Sequence, residues 1–275
     1  MEVTNSRTPK EFWQARSYNA APDPSPESEV QPVFDRFLPT RTDWSVIEIG
    51  ACPGSHLLAL ARTHRFHPVA LDFLSQVHAL PALFKKHGIE DLEVIEGDFL
   101  SFEAPRRFNV VMSFGFIEHF NDAEEVLHKH WRLVAEDGFL ILGLPLFGPM
   151  QMALRRLILT HERLEETLKT HNTRAMDLRV LGEWCRQLPS SKVLKCSYVG
   201  QMGTWFYASD PYVRKERRWI LWAWKIAAIL PGILNISCRL FSPNGVLVVQ
   251  RAAGSPQDGK DYAKSPISLP TIRAS

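Results

Sequence analysis

Three carboxylates and two glycines are spaced along this chain as a nucleoside-type ligand would need them. Glu48, Gly50, Cys52 and Gly54 fall within VIEIGACPGSHLLALA, residues 46–61. An apolar run ends there in a turn of small residues, and a helical pattern follows with Ser55 as its expected N-cap. Glycine at 50 and 54 lets the backbone turn sharply and approach a ligand where a Cβ would collide. The helix behind would turn its N-terminus toward that ligand. Asp72 ends the next apolar run, twenty-two residues after Gly50, about the separation at which a strand-end carboxylate takes ribose hydroxyls in nucleoside-binding sheets. Asp98 ends a third run beside Phe99. A carboxylate there can accept from an exocyclic amine while the neighbouring ring packs on the heterocycle. A lone strand-end Asp is commonly a turn or cap residue, but three acids at successive strand ends beside one glycine turn point to a ligand.

The fourth apolar run empties into SFGFIEHF, residues 113–120. Imidazole is suited to taking a hydroxyl proton near neutral pH, so His119 is the expected general base, with Glu118 beside it. His128 and His130 stand two apart on a helix and face away from each other. His161 and His171 fall in a later helical region. His171 is the better second candidate for base or substrate contact, although solvated helix surface is the plainer reading of both. No group of Asp, Glu or His has metal-ligand spacing along the chain, so metal-independent chemistry is expected.

These residues need strands and helices in alternation to bring them together. Apolar runs at 44–49, 68–71, 92–95, 108–114 and 139–144 read as strands, and the stretches 56–64, 75–87 and 123–134 as amphipathic helices. Parallel pairing follows, because a parallel crossover needs a connection of helical length. Near-continuous apolar strands fit burial on both faces. Asp122 and Glu125 are spaced as a capping box for the third helix.

The runs EIGACPG, ALD, EGD and SFGFIEHF, followed by a strand at FLILGLP, resemble the class I S-adenosylmethionine (SAM)-dependent methyltransferases. Within them the chain is most similar to the small-molecule branch that includes the ubiquinone-pathway O-methyltransferases. The resemblance covers roughly residues 40–145. It implies a Rossmann-like, doubly wound, mostly parallel α/β sheet of seven strands in the order 3-2-1-4-5-7-6, the last antiparallel and preceded by a helical insertion. It implies that Glu48, Gly50 and Gly54 surround the methionine part of SAM, with Cys52 where the usual turn has its middle glycine. Asp72 would hold the ribose and Asp98 with Phe99 the adenine, while Phe73, Ser113 and Gly115 complete the cofactor-binding set. The implied activity is methylation of a small molecule; His119 as base makes it O-methylation, and the aromatic content of 205–224 with the apolar stretch at 219–234 suggests a bulky, lipid-linked or glycan-type acceptor. An NAD-type oxidoreductase would want G-x-G-x-x-G, which the E-x-G-x-C-x-G run does not supply. A methyltransferase-like module kept only for binding is favoured by Cys52 and opposed by the three intact acids.

The organisation expected along the 275 residues is a cap segment at 1–40, a SAM-binding core at 41–145 and acceptor-side elements at 146–252, with a disordered tail at 253–275. Phe12, Trp13, Arg16 and Tyr18 are expected to form a short helix closing over the cofactor. Residues 151–188 read as one or two helices, and 192–199 and 245–250 as strands. The net charge of +2 argues against a nucleic-acid partner. Cys52, Cys185, Cys196 and Cys238 read as free thiols, and the first residues hold no apolar signal, so the expected location is cytoplasmic. The insertion at 205–243 holds the most apolar stretch. Lys225, Pro231 and Gly232 interrupt it, and a crossing there would strand the last sheet strand across the bilayer from its partners. A lid over the acceptor pocket is the favoured reading of 211–243. A helix lying in a membrane surface is the alternative, giving a peripherally membrane-associated protein.

Overall fold

The computed structural model describes residues 5–15, 30–204, 206 and 210–253. Arg16, Tyr18, most of the Pro/Ser-rich joint at 22–32 and the tail beyond 253 lie outside the described residues. The chain opens with α1 (Lys10–Ala15) and α2 (Gln31–Phe37), then alternates β1 (Ser45–Ile49), α3 (Ser55–His64), β2 (His67–Asp72), α4 (Leu80–Lys86), β3 (Glu93–Glu96), β4 (Phe108–Phe114), α5 (Ala123–Leu133) and β5 (Val134–Pro145). The sheet order is β3-β2-β1-β4-β5-β7-β6, with β7 (Asn244–Arg251) antiparallel to both neighbours and the other contacts parallel.

Alternation along each central strand sends side chains to opposite faces. Ile47, Ile49, Val111, Leu140, Leu142 and Leu247 pack on one side, beneath α5 and α8 (Leu178–Gln187). Val46, Val110, Met112, Ile141 and Val248 pack on the other, beneath α2, α3 and α4. The strand runs lack a polar face because both faces are covered.

Two expectations shift in detail. The 75–87 segment divides into a 3-10 turn, Ser75–Ala79, and α4, because Pro81 suits a helix's first turn and not its interior. The 151–188 stretch holds three helices, α6 (Pro149–Ile158), α7 (His161–Thr170) and α8. Thr160 and Asp177 cap α7 and α8 by accepting from Arg163 N and Arg179 N.

After β6 (Ser191–Val199) the insertion forms α9 (Arg218–Ala227) and α10 (Ile229–Ile233). Only Leu221 of α9 is buried, against Leu154, Ile158 and Leu159 of the α6 region. Trp219, Trp222 and Ile233 are 66%, 63% and 76% exposed. A lid would bury this face over a pocket; here it points outward. Among the described residues no helix is long and apolar enough to cross a membrane.

Candidate active site

The glycine turn is built as the spacing requires, with one change of cap. Gly50 has φ +71°, and a Cβ there would lie 2.9 Å from the Phe116 ring. Gly54, at φ +89°, occupies the N-cap of α3 in place of the expected Ser55, and offers no capping side chain. Glu48 supplies the missing acceptor: its Oε2 receives the Leu57 N–H at 3.0 Å inside the first turn of α3. The carboxylate is buried, and burial pushes it well above its usual range. Its structural task is to tie β1 to α3.

Asp72 ends β2 and accepts from Cys52 N and Leu74 N, each at 2.9 Å. Burial pushes its carboxyl up, against the pull of those backbone donors. Asp98 accepts from Leu100 N at 3.0 Å and pairs with Lys10 Nζ at 3.0 Å. Partial burial pushes Asp98 up, but the Leu100 N–H and the Lys10 ammonium outweigh it and hold the carboxyl below its usual range.

Asp72 and Asp98 border a cavity of about 130 Å³ that opens to solvent. Of the sequence-predicted cofactor residues, Gly50, Cys52, Asp72, Phe73, Asp98, Phe99 and Gly115 line it, and so does His119. Glu48, Gly54 and Ser113 do not. Glu48 is turned to α3, Gly54 faces Leu80, and Ser113 is buried behind the wall beside His130. The N-terminal segment contributes Ser6, Thr8, Lys10 and Trp13. It is stitched on by an Arg7 N–His119 O hydrogen bond of 2.7 Å, an Asn121 N–Asn5 O bond of 2.7 Å and a Ser6–Phe120 bridge. Trp13 thus reaches the cavity as expected, while Thr8 and Lys10 carried no signal in the sequence: their contacts join segments about a hundred residues apart.

His130 accepts from the Ser113 hydroxyl at Nε2, 3.1 Å, and donates from Nδ1 to Val126 O, 2.7 Å. Burial lowers its pKa to about 4, against 6.5 for an exposed imidazole. The unfolded chain therefore takes a proton at this ring below pH 6.5 that the folded chain refuses until about pH 4. Stability falls as pH drops through that window, by about 3 kcal/mol from this group. Burial also lowers the partly exposed His56, to about 4, and this adds to the fall. Urea midpoints measured from pH 7 to pH 4 should show a shallower acid decline in His130→Gln than in the parent chain; identical declines would assign the effect elsewhere.

His119 stands at the cavity edge on the 3-10 turn Ile117–His119. Its Nδ1 lies 3.0 Å from Thr170 O and 2.9 Å from the Thr8 hydroxyl. A carbonyl only accepts, so Nδ1 carries the proton and Nε2 the lone pair. The His171 ring lies 4.6 Å away, and Trp13 meets His119 edge-on at 4.9 Å. Glu118 is fully buried, and among the described residues no other residue donates a hydrogen bond to its carboxyl oxygens. Burial pushes its carboxyl up to about 8. No ligand spacing shows along the chain, yet folding gathers Glu118, His119 and His171 so that one ligating atom of each lies within 4.8 Å of the others.

A family model described as a methyltransferase domain matches residues 20–188, more than half of the chain. The chain belongs to the methyltransferase-domain family. No curated protein matches it significantly. Among solved structures, a SAM-dependent methyltransferase from Thiobacillus denitrificans in complex with S-adenosyl-L-homocysteine is 14% identical, with a TM-score of 0.56 over 88% of this chain and 98% of its own. YjhP from E. coli is 19% identical with a TM-score of 0.51, covering 83% and 94%. Coclaurine N-methyltransferase bound to N-methylheliamine and S-adenosyl-L-homocysteine is 12% identical with a TM-score of 0.51, covering 80% and 71%. At these identities the likeness is one of fold.

As a member of this family the chain is a SAM-dependent methyltransferase, and its cofactor is SAM. The cavity fits that group. A Cβ at Gly50 would strike Phe116, so the wall there admits no side chain. Asp72 keeps acceptor capacity on both oxygens after its two backbone bonds, as a ribose diol requires. When bound, SAM supplies a methyl carbon made electrophilic by its sulfonium.

Proposed function

We propose that this methyltransferase acts on a hydroxyl oxygen, and that His119 takes the proton. The observation that carries the reading is the orientation of His119: a ring on the cavity wall whose Nδ1–H is committed to Thr170 O, with Nε2 basic. An oxygen lone pair forms the new bond to the methyl carbon, the carbon–sulfur bond breaks toward sulfur, and the hydroxyl proton passes to Nε2. A cleft of about 310 Å³, open to solvent, is lined by Leu146, Phe147, Met152 and Met176 and by the charged Asp177 and Arg239. Phe147 meets the His171 ring at 5.4 Å. A largely apolar cleft that meets His171 through Phe147, with the Asp177–Arg239 pair on its wall, suits the body of a hydrophobic small-molecule, lipid-linked or glycan-type acceptor. Incubation with SAM and paired hydroxyl and amine acceptors, followed by NMR of the product, tests it. Methyl on oxygen is expected; methyl on nitrogen or carbon overturns the reading.

The outward face of α9 and α10 supports a peripheral contact with an anionic bilayer. Trp219, Trp222, Ile226, Ile229, Leu230 and Ile233 are exposed, and Arg214, Lys215, Arg217, Arg218 and Lys225 accompany them. An apolar body flanked by tryptophan and cations is the pattern of a helix lying in the headgroup region. Trp224 takes no part, because its Nε1 donates to Met202 O at 2.9 Å. Flotation with anionic liposomes is expected at low salt and should weaken at high salt. A Trp219→Ser, Trp222→Ser, Ile226→Ser variant should stay at the bottom of the gradient, and flotation equal to the parent's would dismiss this surface.

A further inference from the structure

We infer that Glu118, His119 and His171 form a binding site for one divalent transition-metal cation. The binding itself rests on geometry; its role rests on the hydroxyl-acceptor reading above. The three side chains come from two segments, the turn after β4 and the end of α7, and bring one ligating atom each to within 4.8 Å of the other two.

The carboxylate is the first independent sign. Glu118 is wholly buried, and among the described residues no other residue donates a hydrogen bond to either oxygen. The His119 Nε2 lies 3.9 Å from Oε1, beyond hydrogen-bond reach. A buried carboxyl, even when neutral, is ordinarily hydrogen-bonded, paired or bound to metal. A cation between Oε1 and Nε2 would supply the missing partner.

The imidazoles are the second sign. His119 Nδ1 lies 3.0 Å from Thr170 O, and His171 Nδ1 lies 2.7 Å from Thr167 O. Both carbonyls belong to the last turn of α7, so one helix end fixes both tautomers. Each neutral ring then carries its lone pair on Nε2. Metal-bound histidines are held in this way, with the remote N–H given to a carbonyl or carboxylate. Ligands about 2.1 Å from a tetrahedral ion stand about 3.4 Å apart, so 3.9–4.8 Å separations need closure of roughly an ångström.

Two imidazoles and one carboxylate suit zinc, manganese or ferrous iron better than calcium or magnesium. Three protein ligands also leave a position open for an exogenous oxygen. His119 lies on the cavity wall, so that position is available to the acceptor hydroxyl. Coordination lowers the pKa of a bound hydroxyl, and the proton then leaves to water. In the loaded protein His119 spends its Nε2 lone pair on the cation; in the stripped protein the same atom takes the proton itself.

The test titrates the full chain, untagged and stripped with EDTA, with Mn²⁺ followed by EPR and with Zn²⁺ against a chromophoric chelator. Binding of one ion per chain at micromolar concentration is expected. Glu118→Gln and His171→Ala should each weaken it at least tenfold while SAM affinity, measured in parallel, shows that the fold survives. His128→Ala, on the exposed side of α5, should leave it unchanged. Absence of binding below 1 mM, or equal affinity in the parent and both site variants, overturns the proposal. No acceptor enters the titration. A chain that binds the ion and methylates an amine therefore refutes only the hydroxyl reading, and one that methylates a hydroxyl yet binds no ion refutes only the cation site.

Discussion

Turnover on a hydroxyl acceptor is expected to drop by about 10²–10⁴ when His119 becomes alanine, the usual contribution of a positioned acid–base group. The substitution removes the one imidazole on the cavity wall that the turn after β4 presents there, and with it the bonds from Nδ1 to Thr170 O and the Thr8 hydroxyl. SAM affinity should be nearly unchanged, because the acids expected to hold the cofactor, Asp72 and Asp98, stand at other strand ends. Measuring kcat and SAM binding on the same preparation separates chemistry from folding. A variant that turns over at the parental rate would leave His119 with a structural role, and His171 would become the next residue to change.

Asp72→Ala should weaken SAM binding by about 1.5–3 kcal/mol, the range for hydrogen bonds to a charged group, or roughly ten- to 150-fold. Two effects mix in that variant, because Asp72 also accepts from Cys52 N and Leu74 N and so holds the glycine turn against β2. Asp72→Asn keeps one acceptor oxygen for the turn while losing the charge. Calorimetric titration of both variants resolves the two. Cys52 N and Leu74 N bond different oxygens, so asparagine keeps one turn bond and would recover affinity only in part if the turn alone mattered; if Asp72→Ala bound SAM as tightly as the parent, the residue would have no place in the site.

The sheet was legible in the sequence because its physics is local: apolar runs of strand length, helix-length connections, glycines where a Cβ has no room. The strand order came from the family resemblance, and the pairing of β7 between β5 and β6 agrees with it. What the residues themselves could not disclose was direction. Glu48 carries the motif's spacing, yet it turns back to the Leu57 N–H, since a helix capped by glycine lacks a side-chain acceptor of its own. Ser113 sits at a strand end, and alternation along β4 points it to His130 behind the wall. Thr8 and Lys10 meet the cavity only through contacts between distant segments, which no periodicity encodes. The amphipathic pattern of 218–233 announced helices without saying which face would be covered. Leu221 turned inward and the tryptophans at 219 and 222 outward.

The stitched N-terminal segment bears on the timing of catalysis. Lys10 bridges to Asp98, Thr8 touches His119, and Asn5 and Arg7 are tied to the turn at 119–121. A ligand beneath that segment leaves through the cavity's open side or after the segment peels back, which breaks an ion pair and several hydrogen bonds in one motion. Where the second route carries the traffic, departure of the spent cofactor is expected to compete with methyl transfer as the slowest event of the cycle, as it does in many enzymes with closing loops. Under that regime solvent viscosity slows steady-state turnover but spares the first turnover, and Lys10→Ala, by loosening the fastening, raises kcat at the expense of SAM retention.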